Sequence, residues 1–230
     1  DGTYACLRET AVIDQGLFGF GMTDCATPNA YNWGTVEVFN KLGAGRLSSS
    51  DGGVVTFRWK RCYEIISRAN YLLACMDLVD LSEEAKAKYS GETHFLRGLA
   101  YSVLAETYGG VPIILTNIST EEARSLKRAS LEETWQQALD DYEVAITNLG
   151  VDAPEPGRAT KGAALGMKMR AYLYQGKYKE VLACVEQIDA LKKYGLFHSY
   201  EGLFDPANEN NKEVLFDIQY IDCLLYTSDA

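Results

Sequence analysis

The stretch ETHFLRGLAYSVLAETYGGVPII, residues 92–114, restricts the fold more than any other part of the chain. Phe95, Leu96, Leu99, Val103 and Leu104 recur at three- and four-residue spacing, the period of an amphipathic helix with one buried stripe. Gly109 and Gly110 stop that helix, because glycine adopts the left-handed conformation that closes a last turn. Pro112 cannot continue a helix and holds Val111 in an extended conformation. Val111, Pro112, Ile113 and Ile114 are therefore expected to leave as an extended apolar strip.

Helical spacing recurs on both sides of this stretch. A long helix is predicted from an Asp51 N-cap to about Val79, with Phe57, Tyr63, Ile66, Asn70, Leu73 and Met76 near one face. Ser82 followed by Glu83 and Glu84 begins the next, since acidic residues suit the positive end of a helix. Residues 115–129 read as a polar connection carrying Arg124, Lys127 and Arg128. Ser130 with Glu133 forms a capping box that opens a helix with Trp135, Ala138, Leu139, Tyr142, Ile146 and Leu149 on one face. Thr160 caps a further helix whose small residues, Ala163, Ala164 and Ala171, allow a neighbour to approach closely. QGKYKE then turns into a helix over 179–193, and AYLYQGKYKEVLACVEQI is similar to a tetratricopeptide unit.

Such hairpins bury only one face and need neighbours. Helices at 54–79 and 82–108 are expected to form one pair and those at 161–175 and 179–193 another. The predicted fold class is mainly α, a tetratricopeptide-like α-solenoid with long irregular loops. Residues 1–53 read as an N-terminal helix over roughly 2–9 and a loop region from 10 to 53. The helical scaffold follows over 54–194, an irregular region starts over 195–220, and 221–230 departs from every pattern as a tail foreign to the fold.

Thirty-two Asp and Glu against 22 Lys and Arg give a formal charge of -10, which argues against nucleic acid as a partner, because phosphate binding needs clustered cations. No run reaches the roughly 18 apolar residues of a membrane span. DGTYACLRE carries neither a basic nor an apolar signal region, so any export signal and lipid anchor are expected to precede residue 1 rather than to use Cys6. Cys6, Cys25, Cys62, Cys75, Cys184 and Cys223 lack metal-ligand spacing and read as separate buried thiols.

The 92–114 stretch resembles a segment of the SusD/RagB family of surface glycan-binding lipoproteins. Four further segments match that family in order: RWKRCYEIISRANYLL at 58–73, GRATKGAALGMKMRAYLYQGKYKEVL at 157–182, LFHSYEGLF at 196–204 and NENNKEVLFDIQY at 208–220. The resemblance implies a longer protein of which this is a fragment. It further implies a surface-exposed lipoprotein of the outer membrane that binds an oligosaccharide, or occasionally a peptide, without catalysis or cofactor. Its implied partner is a TonB-dependent, SusC-like transporter over which it closes as a lid.

The residue chemistry is in keeping with a binding role. His94 within a helix and His198 in an aromatic phrase read as structural. Adjacent acidic pairs such as Glu83–Glu84, Glu121–Glu122 and Asp140–Asp141 point to different faces. Gly157–Gly162 lacks the spacing of a phosphate loop, and Arg158 is expected to bond backbone or carboxylates nearby. Sugar recognition uses an aromatic face flanked by amides. Asn29, Tyr31, Asn32 and Trp33 have that composition on a loop and are the candidate ligand-binding residues, whereas Arg58, Trp59 and Tyr63 read as framework. Two alternatives stay open: a tetratricopeptide adaptor for a protein partner, and a helical-toroid glycosidase with paired carboxylates.

Overall fold

A computed structural model describes residues 1–8, 24–31, 37–48 and 50–219. Among these, the α-helices are α1 (Gly2–Arg8), α2 (Glu37–Gly43), α3 (Val54–Cys75), α4 (Glu83–Tyr108), α5 (Thr120–Ser125), α6 (Leu131–Asn148), α7 (Lys161–Tyr174) and α8 (Tyr178–Ala190). Short 3-10 turns follow α3 at Met76–Leu78 and occupy Glu201–Phe204 and Pro206–Asn208, and the described residues contain no strand. The mainly α architecture expected from the periodicity is the one observed. Residues 9–23, including Phe18 and Phe20, and the tail at 220–230 lie outside the described residues.

Helix α4 is the axis of the molecule. It packs on α3 and, most extensively, on α6, while α6 reaches α7 and α7 reaches α8. The two expected pairs form, and α6 joins them into a continuous stack. The single apolar stripe read for α4 understates its burial, because Glu92, Thr93, Arg97 and Ser102 are buried alongside Phe95, Leu96, Leu99 and Leu104. A helix enclosed on all sides can carry polar groups only where partners meet them. Ser102 Oγ lies 2.9 Å from Tyr142 Oη, and Arg97 is bonded to Asp141 and Asn70.

The α4–α6 seam is close because α4 presents glycine to it. A Cβ at Gly98 would stand 3.0 Å from Tyr142 Cε1 and 3.1 Å from the Ala138 carbonyl oxygen. The small residues noted in α7 serve a similar purpose, with Ala163 and Ala164 fully buried.

Capping follows the side-chain chemistry at several helix starts. Ser82 accepts from Ala85 N, Thr160 from Ala163 N, and Ser130 and Glu133 form both halves of a capping box. Three expectations are corrected. Asp51 does not cap α3; Gly53 holds that position, and Asp51 instead accepts from Lys41 Nζ at 2.8 Å and from Ser48 N at 2.7 Å. The 10–53 loop contains α2, whose Phe39 is buried with Cys25 in a small separate core. The polar connection at 115–129 contains α5, opened by a second capping box between Ser119 and Glu122.

Gly109, with φ of 77°, ends α4 in the expected manner. The apolar strip beyond it is held by side chains. Thr134 Oγ1 accepts from Val111 N, and Tyr63 Oη donates to the Pro112 carbonyl at 2.7 Å. Tyr101 Oη both accepts from Ile114 N and donates to Ile114 O, and Asn70 Nδ2 donates to the same carbonyl at 2.9 Å. Tyr63 and Tyr101 thus bury their rings in the framework and use their hydroxyls as strand substitutes.

Cys6, Cys25, Cys62, Cys75 and Cys184 are free thiols, four of them buried and Cys75 partly so; Cys223 lies outside the described residues.

Candidate functional site

The candidate loop is ordered by its own polar groups over 24–31. The Asp24 carbonyl accepts from both Thr27 N and Thr27 Oγ1, and Thr27 Oγ1 in turn accepts from Asn29 N at 3.2 Å. This local turn competes successfully with helix, as hydroxyl side chains beside proline commonly do. Ala30 packs onto the small core around Phe39, so the loop is fixed at its base. Beyond it, Tyr31 is 78% exposed and Asn29 is also on the surface. Asn32 and Trp33 lie outside the described residues, so the structure brings together two of the four candidates.

The base of this loop rests against α2. Lys41 links Asp51 to Glu37, at 2.8 and 3.3 Å. The Lys41 ammonium, with hydrogen bonds from Ser48, holds the Asp51 carboxyl down to about 2. An exposed aromatic ring beside an exposed amide on a braced turn can stack on the apolar face of a pyranose and bond its hydroxyls.

Sequence reasoning did not single out two other surfaces. Tyr200 and Phe204, 80% and 74% exposed, meet edge to face at 5.5 Å across the Glu201–Phe204 turn. A cleft of about 1000 Å³ opens between α7 and residues 209–219, lined by Met167, Met169 and Leu173 on one side and Leu215, Phe216 and Ile218 on the other. The alternating EVLFDIQY phrase was the available signal for that cleft, but its facing helix is distant in sequence.

Groups that could do acid–base chemistry are committed elsewhere. Glu92 is buried and pairs with Arg158 Nη1 at 3.1 Å, and Arg158 also binds Asp1 and lies over the Tyr4 ring. The expectation that Arg158 bonds nearby carboxylates is met, and the tie fastens α1 to α4 and to the turn before α7. Asp141 is enclosed by Arg97. His94 Nδ1 lies 2.8 Å from the Ser90 carbonyl, and burial holds its imidazole below the ordinary range. Among the described residues no three His, Cys, Asp or Glu side chains cluster closely enough to hold a metal ion, and no helix is long and apolar enough to cross a membrane.

A family model described as starch-binding, associating with the outer membrane and SusD-like, matches residues 24–173. SusD-like protein P25 of Formosa agariphila is 26% identical over 95% of this chain and 43% of its own length. A laminarin-binding SusD-like protein of known structure is 28% identical, superposes with a TM-score of 0.66 and covers 74% of this chain and 41% of its own. A SusD superfamily protein from Bacteroides vulgatus, 20% identical, shares the fold with a TM-score of 0.84 over 96% of this chain and 48% of its own. The chain therefore spans less than half the length of these relatives.

Proposed function

Because the chain belongs to the SusD/RagB family, we propose that it is the helical part of a non-catalytic glycan-binding protein acting at the outer-membrane surface. The observation that carries this reading is the family match across residues 24–173, together with a relative whose name states that it binds laminarin. The geometry agrees with it: Tyr31 and Asn29 stand free on a braced turn, while the buried carboxylates Glu92 and Asp141 are held by arginines.

In this reading residues 54–194 are scaffold, the 1–53 region carries part of the ligand surface through Asn29, Tyr31, Asn32 and Trp33, and 195–220 begins the irregular region. The whole protein would be a surface-exposed lipoprotein that closes over a TonB-dependent, SusC-like transporter. The outer faces of the helices would provide that contact.

Affinity electrophoresis in gels containing laminarin or starch tests the binding role. Retardation that weakens in Tyr31→Ala, with no reducing ends released on incubation, is the expected result. Release of reducing ends would instead favour the glycosidase. Mobility identical with and without every polysaccharide tried, in a folded protein, would remove the glycan reading.

A further inference from the structure

Residues 213–219 have the pattern of a strand without a neighbour. Glu213 N and Val214 N are tied back to Asn211, and the Lys212 carbonyl accepts from Gly195 N, which fixes where the segment begins. Phe216 and Ile218 pack against the main core, while Leu215 lies on Gly166 of α7, its Cδ2 2.8 Å from where a Cβ would stand. From Leu215 to Gln219 no backbone amide or carbonyl is hydrogen-bonded among the described residues. An extended backbone with open hydrogen-bonding groups is a template for another strand.

The space beside it has the matching character. The cleft of about 1000 Å³ against α7 is walled by Met167, Met169, Leu173 and Leu215, with Glu213 and Asp217 at its rim. Apolar walls and an acidic rim suit an extended peptide whose alternate side chains are apolar and whose outward ones are basic or neutral. A second copy of this chain would bring Glu213 and Asp217 against their own kind, which like-charge repulsion opposes. The relatives, by contrast, carry more than half their length outside the part this chain spans.

We propose that Leu215–Gln219 and the adjoining cleft receive an extended strand from the part of the family's polypeptide that this chain does not span. The strand pairs with the open backbone and inserts alternate apolar side chains against α7. The inference rests on backbone pairing and cleft geometry and is independent of which ligand the protein binds.

Hydrogen exchange over 214–219 decides it, measured on this chain and on a longer product of the same gene carrying the family's remaining length. Fast exchange in this chain at every concentration, and exchange slowed by about 100-fold or more in the longer product, is expected when open amides become ladder bonds. Asp217→Pro, which removes one donor from the edge, should cancel the gained protection of the neighbouring amides while leaving α4 amides protected. Equal rates in the two proteins would overturn the proposal. Protection that appears in this chain as its concentration rises would also overturn it, by identifying a second copy as the occupant.

Discussion

Arg97 donates to both carboxylate oxygens of Asp141, from Nη2 to Oδ1 at 2.7 Å and from Nε to Oδ2 at 3.1 Å, where the two side chains are 7% and 2% exposed. The remaining Arg97 nitrogen, Nη1, donates to Asn70 Oδ1 at 2.8 Å, and Asn70 Nδ2 reaches the Ile114 carbonyl. One guanidinium therefore joins α3, α4, α6 and the strip after α4.

Removing one partner of this pair strands the other charge in the core. Asp141→Ala should lower unfolding stability by about 3–5 kcal/mol, the usual cost of leaving a buried ion unpaired. Replacing both by apolar residues, Arg97→Met with Asp141→Leu, should recover much of that loss. Urea unfolding of the two variants checks the ordering, and equal losses would show that packing volume rather than charge is decisive.

A side chain at Gly110 would meet backbone. A Cβ there would stand 2.0 Å from the Ala129 carbonyl oxygen, and Ala129 N donates to Val111 O at 3.1 Å, so neither chain can yield without breaking that bond. Gly110→Ala should destabilise the protein by about 1–3 kcal/mol, as overpacking does. A thermal melt compared with the wild type is sufficient.

Acid should loosen α2 before the main core. The Asp51 carboxyl is held near 2 by Lys41 and Ser48, against an ordinary value of 3.8, so its folded-state affinity for a proton is depressed. Its contribution is complete above the ordinary value and is lost as pH falls from about 4 towards 2. Amide exchange in α2 should accelerate across that window in the wild type and not in Asp51→Asn, in which the tie is already weakened at neutral pH.

Thiol labelling should distinguish the cysteines of α3. Burial pushes the Cys62 thiol up to about 12, whereas Cys75 is partly exposed at the helix end. Iodoacetamide at mildly alkaline pH should modify Cys75 in the native protein and reach Cys62 only after unfolding. Peptide mapping by mass spectrometry reads both sites at once.

The legible parts of the fold were those written in local chemistry. Ser82, Ser130 and Thr160 mark helix starts because a hydroxyl three residues before a free backbone N–H satisfies it wherever the rest of the chain goes. Asp51 looked equally suitable, yet Lys41 lies close enough in the fold to claim it. The full burial of α4 was hidden because Glu92, Arg97 and Ser102 are polar, and their partners Arg158, Asp141 and Tyr142 lie 66, 44 and 40 residues further on. At the candidate site, composition placed Asn29 and Tyr31 on a surface turn, while the cleft beside α7 depends on a contact between Gly166 and Leu215 that no local pattern encodes.

The side-chain bonding of the strip after α4 has a consequence for what the molecule avoids. Val111–Ile114 is a short apolar run rich in β-branched residues, the composition from which cross-β aggregates grow when its peptide groups are free. Tyr63, Asn70, Tyr101 and Thr134 occupy those peptide groups one by one, and Pro112 offers no donor at all. The fold thus keeps its most self-adhesive sequence from meeting another copy of itself, by means of hydroxyl and amide groups that a reading of the core as purely apolar would treat as replaceable.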